Sequence, residues 1–229
     1  MDKTTYYYST DGDGTTYDGF EPFKDGDRAE APDWNPDRDI ECGQALHVSD
    51  LKVGTLAFVD RVDPVIYEVE VEDVMPKNGG KYRCKALTRV REVEITEDDL
   101  LKGLEEEDSD VRWTVCRNPN ATEEVLEKGL KDEDGDVRWA ACKNPNATAG
   151  ILKKGLKDED SDVRWAVYES PNATEEILKK GLKDRYWCIR KAVCENPNTT
   201  EDILQKGLED EVWVVRQVAK EGLYRLART

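Results

Sequence analysis

The 229-residue chain is short of positive charge, with 34 Lys and Arg against 51 Asp and Glu and a formal net charge of -17. That shortage excludes direct nucleic-acid binding as a main activity, because a duplex binder replaces condensed counterions with clustered Lys and Arg. An anionic membrane surface is excluded on the same ground. No apolar run approaches the roughly 20 residues needed to cross a bilayer, and Met1-Asp2-Lys3 opens no secretory h-region. A soluble, cytoplasmic protein is expected. Histidine is nearly missing, His47 standing alone, and the six cysteines Cys42, Cys84, Cys116, Cys142, Cys188 and Cys194 contain no CxxC pair. Tetrahedral zinc takes four Cys or His ligands in close pairs, and Cys188 with Cys194 has no second pair to complete it. Reduced thiols, no metal and no cofactor are the expectation.

What the chain does have is a period. NPNATEEVLEKGLKDEDGDVRWAACK begins at Asn118 and recurs in altered form from Asn144, Ser170 and Asn196, each start 26 residues after the last. The stretch ITEDDLLKGLEEEDSDVRWTVCR from Ile95 fits the same frame without the NPN turn, which makes five units. Each unit reads as two short helices. The first is expected to start at an Asn cap, with Glu123, Glu175 and Glu201 three residues beyond Asn120, Asn172 and Asn198 as in a capping box. Val125, Leu126 and Leu130 lie on one side of it, and Gly103, Gly129, Gly155, Gly181 and Gly207 recur within it, which predicts close backbone packing. The second helix follows an acidic turn that favours its N-terminus, and carries Val137, Ala140 and Ala141 inward. One unit cannot bury its own apolar face, whereas stacked units share a continuous core. The expected fold for residues 95–229 is an all-α right-handed solenoid, its last layer covered by Tyr224 and Leu226.

The pattern of NPN turn, leucine pair, acidic turn and Val-Arg dipeptide resembles the bacterial variant leucine-rich repeat and short HEAT-like repeats, over a little more than half of the chain. The resemblance implies a recognition scaffold. HEAT-like members that handle DNA use a basic concave face, and an iron-sulfur site in one variant member needs clustered cysteines; this chain has neither.

Residues 1–94 follow another pattern and are expected to form a small α+β domain. Val65 to Glu72 alternates apolar and acidic residues, the mark of a half-buried strand. Thr55 to Val62 and Lys81 to Glu94 read as further strands, with Lys77-Asn78-Gly79-Gly80 as a hairpin turn, and the first forty residues read as loops and short strands. The run ECGQALHVSDLKVGTLAF, with VIYEVEVEDV and KYRCKALTRVREV, resembles a small domain of bacteriophage proteins, with Ala45 where a second glycine is common. This implies a phage or mobile-element origin and no reaction.

No catalytic residue is assigned. Cys42 and His47 are the minimum for thiol catalysis, but nothing supplies an orienting third group or oxyanion donors. Asp11-Gly12-Asp13-Gly14 fails as a calcium loop, because Thr16 falls at the required glycine and Pro22 at the bidentate glutamate.

Arg112, Arg138, Arg164, Arg190 and Arg216 share one repeat position and are expected to pair with an acid of a neighbouring unit, drawn from Glu106, Asp132, Asp158, Asp184 and Asp210. Trp113, Trp139 and Trp165 directly follow that arginine, and Trp187 and Trp213 stand four residues earlier in the frame, one turn away on the same helix face. Two readings stand for these indoles: partial cover of the inter-helix grooves, or one exposed stripe. Beside them lie Glu106, Glu107, Asp108, Glu133, Asp134, Glu159 and Asp160. Acids beside exposed aromatics suit a basic, Arg-rich partner. The expected function is a non-enzymatic, protein-binding solenoid, an inhibitor of anti-CRISPR or anti-restriction type that occupies a basic nucleic-acid groove of a host enzyme. An assembly scaffold or adaptor, and an enzyme acting through residues 1–94, are the alternatives. Acids exceed bases by 21 to 12 through Ile95 and by 30 to 22 beyond it, so both parts are acidic.

Overall fold

A computed structural model describes residues 5–10, 26, 28–30, 46–50, 52, 65–72, 74–75, 82–84 and 86–228. The chain forms two compact units, Met1–Val115 and Cys116–Thr229. Among the described residues the first contains six strands and then a pair of helices; the second is helical throughout.

In the first unit the alternation from Val65 produces β4 (Val65–Glu72), the centre of an antiparallel sheet ordered β1-β4-β6-β2, where β1 is Tyr6–Thr10, β2 Arg28–Glu30 and β6 Ala86–Val93. A second ladder pairs β3 (Leu46–Val48) with β5 (Tyr82–Cys84). The expected third strand, Lys81 to Glu94, is therefore divided between two sheets, β5 pairing with β3 and β6 with β4 and β2. The register of β4 on β6 shifts at Glu68 and Val69, which oppose Arg91 and Arg89, so Val90 is left over as a bulge and is surface-exposed. Burial along β4 does not alternate strictly, since the successive residues Ile66 and Tyr67 are both buried. Tyr8, Tyr67, Val69, Cys84 and Leu87 form the core here, with the Tyr6 and Tyr82 rings edge to face at 5.2 Å. Arg91 pairs with Glu68 directly across the ladder at 2.6 Å. The expected strand at Thr55 to Val62, the turn at Lys77 to Gly80, the Asp11 to Gly14 run and Cys42 lie outside the described residues.

Helix α1 (Glu97–Gly103) starts at Thr96, whose hydroxyl accepts from the Asp99 N–H while the Asp99 carboxylate accepts from the Thr96 N–H, a complete capping box. Lys52 donates to that carboxylate at 2.8 Å and to the Glu94 carbonyl at 3.0 Å, which fixes the strand-to-helix passage. Helix α2 is Ser109–Arg117.

In the second unit, first helices α3 (Glu123–Gly129), α5 (Ala149–Gly155), α7 (Glu175–Gly181) and α9 (Glu201–Gly207) alternate with second helices α4 (Gly135–Lys143), α6 (Ser161–Glu169), α8 (Trp187–Glu195) and α10 (Trp213–Leu226). Apart from α10, with 14 residues, these helices have seven to nine residues and are marginal alone, so their stability comes from stacking. The second helices pack on one another in sequence, α4 on α6, α6 on α8 and α8 on α10. Val125, Leu126, Val137, Ala140 and Ala141 are fully buried, and their counterparts in the later turns of the repeat are buried too, except Val218 at the Ala140 position of the last turn, which is half-buried. The chain is thus a strand-rich segment followed by a helical repeat.

Two expectations need correction. The caps of the first helices are Thr122, Thr148, Thr174 and Thr200, not the asparagines; the hydroxyls of the first three accept from Val125, Ile151 and Ile177 N–H. The asparagines are committed elsewhere. Asn144 Nδ2 donates to the carbonyls of Cys116 and Asn118 at 2.7 and 2.9 Å, and Asn146 Nδ2 donates to those of Pro119 and Ala121, so both reach back one repeat. Tyr224 and Leu226 do not cover the last layer: they are exposed, and Leu223, Val218 and Val212 pack on Cys194, Leu204, Val215 and Ala219 instead.

The recurring glycines end the first helices, where the next helix comes closest. A Cβ built on Gly155 would stand 2.5 Å from Cys142 Sγ and 2.9 Å from Val167 Cγ2. The cysteines thus fill space against glycine, and burial pushes the Cys142 thiol up to about 12 and the Cys194 thiol up to about 11. They are packing residues, not nucleophiles.

Candidate functional site

The acidic turns are first of all joints. Arg138 donates through Nη1 to the carbonyls of Asp132 and Glu133 in its own turn, and through Nε and Nη2 to the carboxylate of Asp158 in the next, at 2.8 and 3.1 Å. Arg164 donates to Asp184 through Nε alone, at 3.0 Å, and Arg190 donates to Asp210 through Nε and Nη2, at 2.6 and 3.0 Å. Asp158, Asp184 and Asp210 each also accept from the N–H two residues on. The Arg190 hydrogen bonds hold the Asp210 carboxyl below the ordinary aspartate range, against the opposing effect of burial. The expected arginine-acid ladder is present for these three pairs. Arg112 Nη1 donates to the Glu106 and Glu107 carbonyls at 2.8 Å.

Several acids expected to bind a partner have local structural work. Asp108, Asp134 and Asp160 accept from the N–H groups of Asp110, Asp136 and Asp162 and so cap α2, α4 and α6. Glu106 is half-buried, while Glu107, Glu133 and Glu159 are exposed and lend their main-chain carbonyls to the arginines.

The tryptophans fall into two groups. Trp113, Trp139 and Trp165 sit one turn into α2, α4 and α6 and are half-buried. The Lys143 ammonium lies 5.7 Å over the Trp165 ring while paired to Glu169, so this indole already has a cation. Trp187 and Trp213 are the first residues of α8 and α10 and are 46% and 67% exposed. They occupy the frame position held by Ser109, Gly135 and Ser161 in the earlier turns of the repeat.

The change extends to their neighbours. Where Asp108, Asp134 and Asp160 cap, the later turns carry Tyr186 and Val212, and neither makes a side-chain cap bond. Where Asp110, Asp136 and Asp162 place a carboxylate in the first turn, Cys188 and Val214 stand. The sequence shows this substitution once the cap position is known, but the frame alone does not mark which residue caps. Tyr186 carries two guanidinium groups near its ring, Arg185 at 4.7 Å and Arg164 at 5.8 Å. Two adjacent second helices therefore begin with apolar, exposed residues in place of the capping chemistry.

His47 lies on β3. Among the described residues no group of three His, Cys, Asp or Glu is placed to hold a metal ion, and no helix is long and apolar enough to cross a membrane.

No family model matches the chain, and no curated protein matches it. Nothing in these comparisons supports the amino-terminal resemblance to a bacteriophage-associated domain. Among solved structures the chain is similar to the crystal structure of Cex1p, at 18% identity and a TM-score of 0.45, over 58% of its own length and 36% of that chain. It is also similar to a leucine-rich repeat variant with a novel repetitive structural motif, at 22% identity and a TM-score of 0.33, over 56% of its own length and 62% of that chain. In both cases the match spans less than two thirds of the other protein.

Proposed function

We propose that the helical part is a non-enzymatic recognition module, a right-handed α-solenoid of five 26-residue units, acting in the cytoplasm on a protein with a basic surface. The observation that supports this reading is the replacement of capping Asp by Tyr186 and Val212, together with the exposure of Trp187 and Trp213. A side-chain N-cap contributes about 1 kcal/mol, and large exposed apolar groups add nothing to a monomer's stability. Residues that forgo the first and supply the second suit contact with another molecule. Exposed Glu133, Glu159 and Glu211, with the acidic balance of the chain, select a positively charged partner and speed the encounter.

A nucleic-acid groove of an enzyme is a surface of this kind, and an inhibitor carried by a phage or mobile element is the narrower form of the proposal. Its additional support is the amino-terminal resemblance. The scaffold reading has support of its own in Tyr224 and Leu226, exposed on the last helix at 61% and 42%.

Affinity capture from the native host lysate at low and high salt, with the natural chain and a Trp187→Ala, Trp213→Ala variant, tests the proposal. A protein captured at low salt, released by salt, lost with the variant and displaced by duplex DNA is the expected result. A captured set indifferent to both salt and the two tryptophans would rule out the proposed edge.

A further inference from the structure

The edge made by the first turns of α8 and α10 has more specific chemistry than attraction to a basic surface. We propose that it takes an arginine-rich segment of the partner, whose guanidinium groups lie flat on the Trp187 and Trp213 indoles while Glu209 and Glu211 meet their charge. This rests on the recognition-module reading and names the group recognised.

Trp187 and Trp213 hold the same frame position on second helices that pack side by side, and packed helices lie about 8–10 Å apart. In an extended, polyproline-like segment, residues three apart are separated by about 9 Å and face the same way. Arginines at every third position therefore match the spacing of the two helices that carry the indoles. The chain's own side chains show what these rings accept: Arg185 and Arg164 lie near the Tyr186 ring, and Lys143 lies over Trp165. Among the described residues no cation is placed over Trp187 or Trp213. Both indoles are open, and the carboxylate beside them is open too, since the Glu211 side chain is 84% exposed and is held by Arg190 only at 3.3 Å. Glu209 is exposed in the same turn. Guanidinium fits better than ammonium, because it is planar, weakly hydrated and stacks on an aromatic face while its edge still donates to a carboxylate.

Fluorescence anisotropy of two labelled peptides with the full-length protein tests the assignment, one bearing Arg at every third position between Pro and Ala, the other Lys at the same places. The Arg peptide is expected to bind about tenfold more tightly than the Lys peptide and to lose about tenfold with Trp213→Ala, as expected for cation-π contacts of this type. Trp213→Phe should recover part of that loss, and circular dichroism should show every variant folded. Equal, tryptophan-dependent affinities for both peptides would overturn the guanidinium assignment and leave the basic-surface reading intact. Binding unaffected by the Trp187→Ala, Trp213→Ala pair would overturn the edge itself. Absence of binding by either peptide would overturn the arginine segment, with the lysate experiment still deciding the broader reading. A concentration-dependent dimer abolished by Trp213→Ala would overturn the proposal by showing a second copy of this chain on the edge.

Discussion

Single residues that depart from their frame position show what the repeat requires. At the position held by Ala121, Ala147 and Ala173 the last NPN turn has Thr199, which is buried and whose hydroxyl has no hydrogen-bond partner. A buried unsatisfied hydroxyl costs about 1–3 kcal/mol. Thr199→Ala is therefore expected to raise stability by about 1 kcal/mol, measured as a higher midpoint of urea unfolding with an unchanged slope. Ser170 is the converse case. Asn144 and Asn196 each donate to two carbonyls of the preceding repeat, and Ser170 stands where a third such amide belongs. Its hydroxyl accepts from the Asn172 N–H at 3.2 Å but donates to neither Cys142 nor Asn144. Ser170→Asn supplies those two donors and is expected to stabilise by about 1 kcal/mol, seen in the same unfolding experiment; a loss of stability would show that the packing around this turn does not admit the amide.

At the scale of the helix, two devices set the spacing between elements. Glycine at the end of each first helix brings the backbone against the side chains of neighbouring second helices, so Gly155→Ala must displace Cys142 and Val167. Helix propensity favours Ala by about 1 kcal/mol, while overpacking costs about 1–3 kcal/mol and here meets two close contacts. A net loss of stability is expected, partly recovered by pairing the change with Cys142→Ala. The arginine-aspartate ladder acts on the other edge of the second helices. Because Arg190 depresses the Asp210 carboxyl, the pair stabilises the fold fully above the ordinary aspartate range, and that contribution is lost as pH falls below about 4 and through the lower folded value. The stability difference between the natural chain and Asp210→Asn should shrink steadily over that window in acid unfolding curves; a difference independent of pH would show that the pair contributes nothing through its charge.

These elements were legible in unequal measure. The period, the close-packing glycines and the arginine-acid pairing could be read because each recurs at one position with its chemistry unchanged. The threonine caps could not, since Asn and Thr are both good caps and only the stacked structure shows the Asn amides donating across repeats. In the strand-rich segment β4 announced itself by alternation. The division of Lys81 to Glu94 between two sheets and the bulge at Val90 depend on partners distant in sequence, and alternation carries no information about those. Trp187 and Trp213 were visible as tryptophans, but their meaning depended on knowing that they begin helices.

At the scale of the whole molecule, one row of helix ends sets the stability of a capped helix against the recognition role proposed for it. In a stacked repeat each element is stabilised mainly by its neighbours, so a poor helix start in one turn is tolerated when the turns on either side hold it. The α4 and α6 ends use that row for caps, with Asp134 and Asp160, whereas the α8 and α10 ends present Trp187 and Trp213 to solvent. Restoring the earlier chemistry to α8 separates the two roles. Tyr186→Asp with Trp187→Ser gives the Cys188 N–H a carboxylate acceptor, as Asp160 serves Asp162, at an expected gain of about 1 kcal/mol from the cap and up to about 1 kcal/mol from the helix dipole. Loss of the Arg185 contact with the Tyr186 ring offsets about 0.5 kcal/mol of that. The double variant should therefore unfold at higher urea than the natural chain while its capture of the partner falls, measured on the same preparation. If it were both more stable and undiminished in binding, Tyr186 and Trp187 would have no role in recognition, and their place at the start of α8 would need another cause.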